Sequence, residues 1–99
     1  MALYKSISGT VSNELIEPGQ NKIIEELLIS NTHGSTTATV DLYIHDATST
    51  YYFLKGTSIP TGVSLVLDNA FLKFNNSISA FGLYIKLGAG TVDVVINTN

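Results

Sequence analysis

The chain has 99 residues, 44% of them hydrophobic, a formal net charge of −3 and no cysteine. That is one domain's length with an ordinary share of core formers, and it excludes a disulfide-stapled scaffold. The five basic residues are all lysines (Lys5, Lys22, Lys55, Lys73 and Lys86) scattered along the chain, which excludes the gathered basic patch and arginine readers of a nucleic-acid binder.

Taken in chain order, the first predicted element is a strand over 3–11. Leu3, Lys5, Ile7, Gly9 and Val11 share one parity, and Ser6 and Ser8 take the other. The run 13–19 reads as a connection, since Pro18-Gly19 is a turn signal and Pro18 holds Glu17 extended. The segment 22–30 has two readings. Ile23, Ile24, Leu27 and Leu28 line one face of a helix, and Glu25 and Glu26 suit one. The alternation of Ile23, Glu25, Leu27 and Ile29, with three isoleucines and turn-like flanks, favours a strand instead. It is predicted as a strand with two partly apolar faces, hence central in a sheet or at an interface.

A polar loop over 31–37 follows. The run 39–45 is the cleanest amphipathic strand, with Val40, Leu42 and Ile44 opposite Asp41, Tyr43 and His45. After a turn at 46–50 comes a short aromatic strand, 51–55, closed by Gly56. Ile59-Pro60-Thr61-Gly62 is a further turn, and Val63, Leu65 and Leu67 then share a face up to a turn at Asp68-Asn69. A very short strand is expected over 71–74. Asn75-Asn76-Ser77 has the glycosylation pattern but reads as a turn. The strand 78–87 is long, and Gly82 in it marks a bulge or a close backbone approach. Gly88-Ala89-Gly90 is a tight turn that should join 78–87 to a last strand, 91–97, as a hairpin. Val92, Val94 and Ile96 face the core there, and Val95 faces out.

About eight strands with turns every 8–12 residues predict an all-β fold, an antiparallel β-sandwich of jelly-roll or immunoglobulin-like topology spanning residues 1–99. No segment between strands is long enough for a crossover helix. No stretch reaches the roughly 18 apolar residues of a membrane span, and no signal-peptide pattern opens the chain.

The residues that carry chemistry elsewhere are sparse here. His33 lies in the polar loop and His45 beside Asp46, and the two are the only histidines. A metal site needs several converging ligands, and nothing in the sequence supports one completed by a distant Asp68 or Asp93. Asp41, Asp46, Asp68 and Asp93 are scattered rather than paired for glycoside hydrolysis. No nucleophile elbow is present, and Gly88-Ala89-Gly90 lacks the Lys-Ser/Thr of a phosphate-binding loop. The expectation is therefore no enzyme, with no catalytic, cofactor-binding or metal residues.

Charged residues make up only 13% of the chain. A surface of Thr, Ser and Asn loses less on packing against a neighbour than one of Lys and Glu. Tyr43, Tyr51, Tyr52 and Val95 are the candidate interface residues. Tyr43 lies opposite its strand's core triad, one of Tyr51 and Tyr52 must turn outward, and Val95 breaks the pattern of the last strand. Outward tyrosines also suit sugar rings, and Tyr43, His45 and Tyr51 supply material for a carbohydrate-binding module.

A running order of features joins these elements. It comprises Ser8-Gly9-Thr10 in the opening strand, the Pro18-Gly19 turn, the run 24–31 (Ile-Glu-Glu-Leu-Leu-Ile-Ser-Asn), the strand 38–44, the stretch 59–68, the segment 72–78 and the closing 90–96. In this layout the chain resembles small virion proteins of tailed bacteriophages, compact β-sandwiches that decorate capsids or join tail and fibre assemblies. The resemblance implies a structural component of the virion, first of all a capsid decoration (cement) protein on the outside of the head shell. Its implied partners are the major capsid protein or other virion proteins. It also implies a homo-oligomer, a trimer before other rings, in a virion assembled in the host cytoplasm; the scattered lysines and the lack of a long apolar stretch point to no nucleic acid and no membrane as partners. The alternative is a carbohydrate-binding module or another tail or head–tail adhesion component.

Overall fold

Alternation in the sequence becomes alternation of burial. Along β4 (Ala38–His45), Ala38, Val40 and Leu42 are buried and Thr39, Asp41 and Tyr43 are not. Along β8 (Thr91–Thr98), Val92, Val94, Ile96 and Thr98 are buried in the same rhythm. The computed structural model describes residues 2–20, 22–32, 35–46, 48–72, 74 and 81–98. The other strands are β1 (Ala2–Ser8), β2 (Asn13–Ile16), β3 (Ile24–Ser30), β5 (Thr50–Ile59), β6 (Ser64–Asp68) and β7 (Gly82–Ala89), with one helical turn, α1 (Asn69–Leu72). His33, the Asn75-Asn76-Ser77 turn and the start of the strand expected over 78–87 lie outside the described residues.

The strands form two four-stranded antiparallel sheets, β1-β8-β3-β6 (sheet A) and β2-β7-β4-β5 (sheet B). Their inner faces meet in a core that includes Ile24, Leu27, Ile29, Leu42, Leu83, Ile85, Leu87 and Ile96, all essentially inaccessible to water. Each such side chain contributes about 1.5–3 kcal/mol by leaving water. Among the described strands, only β4 and β5 follow one another as a hairpin within one sheet, and each other pair of consecutive strands lies in opposite sheets. An immunoglobulin-like domain would keep its first two strands in one sheet. Here β1 and β2 lie in opposite sheets, and the nested order is that of a jelly roll.

The predicted 78–87/91–97 hairpin is not formed. β7 pairs with β2 and β4, whereas β8 pairs with β1 and β3. Gly90 alone separates them, at φ +81°, with its backbone against Ala38. Both strands carry an inward apolar row, and facing those rows across the core buries them together.

Two boundaries and two assignments also differ from expectation. The first strand ends at Ser8, and Gly9, with φ +81°, takes the chain to the other sheet, leaving Val11 73% exposed. Within the predicted connection 13–19 lies β2. Its register slips between Glu14 and Ile16, so Leu15 and Ile16 are both buried and the strand shows no alternation. β5 continues through Gly56, whose φ of +61° accommodates an extra residue opposite β4. The strand expected over 71–74 begins instead as α1, capped by Asp68, whose Oδ1 accepts the Phe71 N–H at 3.1 Å.

The strand reading of 22–30 holds, and β3 is central, between β8 and β6. A register shift between Ile24 and Glu26 turns both Glu25 and Glu26 outward. Gly82 is a close backbone approach, since a Cβ there would lie 3.0 Å from the Ile16 carbonyl oxygen.

Candidate functional surfaces

Register places a row of tyrosines across the outer face of sheet B. Glu14 on β2 pairs with Tyr84 on β7, Tyr84 with Tyr43 on β4, and Tyr43 with Tyr52 on β5. Tyr43 is held between the other two rings, stacked on Tyr84 at 5.7 Å and tilted against Tyr52 at 5.3 Å. Such ring pairs add about 0.5–1.5 kcal/mol beyond their burial. The Tyr43 hydroxyl lies 2.6 Å from Ser12 Oγ, and the Tyr84 hydroxyl donates to the Glu14 carboxylate at 3.2 Å. Burial first, then Glu14, raises the Tyr84 pKa and keeps its proton in place.

Polar groups border the row on both sides. Towards one end of the strands, His45 Nδ1 lies 2.7 Å from Thr50 Oγ1 and its ring meets the edge of Tyr84 at 6.1 Å. Towards the other, Asp41 pairs in register with Lys86. Asp41 accepts the Gly56 N–H at 2.6 Å and lies 3.6 Å from the Lys55 ammonium. Lys55 sits 4.4 Å from the Tyr52 ring centroid. Its pKa is raised, first by the Tyr52 hydroxyl and then by Asp41. Lys55 is well exposed, so the ion pair orients these side chains more than it stabilises the fold. A hollow of about 230 Å³ lies over these groups, from Ser12 to Thr50 and Lys86.

The outer face of sheet A carries a different row. Tyr4 on β1 pairs with Val95 on β8, Val95 with Leu28 on β3, and Leu28 with Val66 on β6. The apolar row thus crosses all four strands, with Tyr4 75% and Val66 55% exposed at its ends. The rows beside it are polar. One runs Ser6, Asp93, Ser30 and Ser64, and the other ends in Asn97, Glu26 and Asp68.

The four predicted interface residues are therefore divided. Tyr43 and Tyr52 are on sheet B, and Val95 is on sheet A with its predicted outward parity. Tyr51 pairs with Ile44, and its ring packs 5.7 Å from Phe81, outside the tyrosine row. Tyr43 is half-buried by its neighbours rather than presented freely. Tyr84, Tyr4, Leu28 and Val66 were not singled out in the sequence. Tyr84 had a signal in its parity opposite Leu83, Ile85 and Leu87, but nothing in the chain says which rows align.

The scattered aspartates have separate structural positions. Asp46 Oδ1 accepts the N–H groups of Thr48 and Ser49 in the β4–β5 turn, which lowers its pKa. Asp68 caps α1, and Asp93 accepts the Thr32 hydroxyl at 3.0 Å. Among the described residues no three His, Cys, Asp or Glu side chains converge as metal ligands. Comparison with family models, curated proteins and solved structures returns no match.

Proposed function

We propose that this chain is a non-enzymatic structural component of a tailed-phage virion, a decoration protein bound to the outside of the head shell. The observation that carries the reading is the apolar row Tyr4, Val95, Leu28 and Val66 on the outer face of sheet A. Contiguous exposed apolar surface with a polar border marks a contact site. The low charge of the chain lowers the cost of covering it.

The border of this face is acidic, through Asp93, Glu26 and Asp68. Stacking the face on its own copy would bring like charges together. A surface of the shell with a neutral or basic border fits better. A homotrimer is compatible with this, because contacts around a threefold axis join two different surfaces of neighbouring copies.

The test is co-sedimentation of the purified protein with undecorated phage heads, alongside sedimentation velocity of the protein alone. The wild-type protein is expected to bind the heads. The Tyr4→Ser/Val66→Ser double variant is expected to lose about 1 kcal/mol or more of binding, since buried apolar anchors carry most of such energy. No binding by a folded wild-type protein overturns the reading, and so does full binding by the double variant.

A further inference from the structure

We propose that the outer face of sheet B binds a saccharide, one ring of which lies in the hollow between Tyr43, Tyr52 and Asp41. The site is on the opposite side of the sandwich from the apolar row, so it stands or falls independently of shell binding.

The chemistry of the hollow matches a sugar's. A sugar hydroxyl both donates and accepts, so its site needs both kinds of partner within one ring's width. Asp41 supplies a carboxylate acceptor, Lys55 and Lys86 supply ammonium donors and Ser12 a hydroxyl that does either, while Thr50, at the His45 end of the strands, is placed for an adjoining sugar unit. The C–H face of a sugar ring needs an apolar plane, and Tyr52 offers one at 48% exposure beside the ring of Tyr43. The Lys55 ammonium lies over Tyr52 in the free protein. A sugar ring takes that place, and Lys55 then turns to a sugar hydroxyl while staying near Asp41.

The groups are already set in position. Tyr43 is fixed between two rings and by Ser12, Asp41 by the Gly56 N–H, and Thr50 by His45. Side chains ordered before binding do not lose that freedom on binding. The size of the hollow decides the kind of ligand. At about 230 Å³, it falls below the roughly 300–1,000 Å³ of sites that enclose a drug-sized molecule. An open site of that size suits one unit of an oligosaccharide laid across the sheet, rather than an engulfed metabolite.

The experiment applies the labelled full chain to an array of neutral, amino-sugar and uronic-acid oligosaccharides, followed by titration of the best binder. Binding above background to at least one class is expected. Tyr52→Ala and Lys86→Ser should each weaken it tenfold or more. Tyr51→Ala should leave it unchanged, because Tyr51 packs on Phe81 outside the hollow. Thermal midpoints are measured for all variants. If Tyr52→Ala lowers its midpoint, the exposed Lys86→Ser variant decides the matter. An array without a binder overturns the proposal, as does a binder whose affinity survives both substitutions in the hollow.

Discussion

Gly90 is the residue on which the β7–β8 corner depends. Its φ is +81°, and a Cβ there would lie 2.9 Å from Ala38 Cα, inside the contact distance of backbone atoms. Gly90→Ala should cost about 1–3 kcal/mol from backbone strain, with the clash against β4 adding to it. Gly19 has a similar φ of +79° but nothing within 4 Å of its missing Cβ. Gly19→Ala should therefore cost clearly less in urea denaturation, and equal losses would show that the approach to Ala38 is not what matters. Asp46 gives a pH dependence at the same scale. The Thr48 and Ser49 N–H groups lower its folded pKa from an ordinary 3.8. Its stabilising contribution is thus complete above that value and is lost as pH falls through the depressed one. Thermal melts between pH 6 and pH 2.5 should show this loss for the wild type and a shallower acid limb for Asp46→Ala. Equal limbs would mean that the turn does not depend on the charge.

At the scale of elements, the open edges of the sandwich are the features that need protection. β1 and β2 are the edge strands of sheets A and B on one side. Lys5 occupies the inward parity of β1, between Leu3 and Ile7, where a core residue would be expected. Its ammonium donates to the Glu14 carbonyl oxygen at 2.9 Å, tying one edge strand to the other. A charge on the inward row of an edge strand opposes the addition of another strand. Lys5→Val should raise the aggregation rate of concentrated or warmed protein, followed by light scattering. An unchanged rate would place the protection of this edge elsewhere. A buried clamp holds the far end of β5. Asn31 Nδ2 donates to the Ile59 carbonyl at 2.8 Å and to the Thr36 carbonyl at 2.9 Å, while its backbone bonds Gly62 and Val63.

At the scale of the whole molecule, the jelly roll is built from pairings that are remote in the chain. β1 pairs with β8, β2 with β7, and β3 with both β6 and β8. Long loops must close before these contacts form, so refolding should take roughly milliseconds to seconds, as in other sandwiches. Stopped-flow tyrosine fluorescence can follow it, because the chain has five tyrosines and no tryptophan. Refolding complete within microseconds would contradict a topology-limited mechanism. The same closure divides the two outer faces. Tyr43 and Val95 both point outward, yet they lie on opposite sides of the molecule because β4 and β8 belong to different sheets.

The sequence by itself determined the class of fold and the inward residues of the regular strands. Val40 and Leu42, Leu83 and Ile85, and Val92 and Ile96 are buried as their two-residue period requires, because backbone geometry alone sends successive side chains to opposite faces. It also carried the outward parity of Tyr43 and Val95. Where the period is broken, the sequence misled. The slip in β2 buries two adjacent residues, and the extra residue in β3 turns two adjacent glutamates outward. Neither has a local signature, since a bulge is defined by the partner strand. Only the tertiary structure decided that Gly90 is a corner between sheets rather than a hairpin turn. It alone aligned Tyr84, Tyr43 and Tyr52 into one row, and Tyr4, Val95, Leu28 and Val66 into another. The physical reason is that alternation fixes which way a side chain points, while register and sheet membership depend on partners that the chain brings together only on folding.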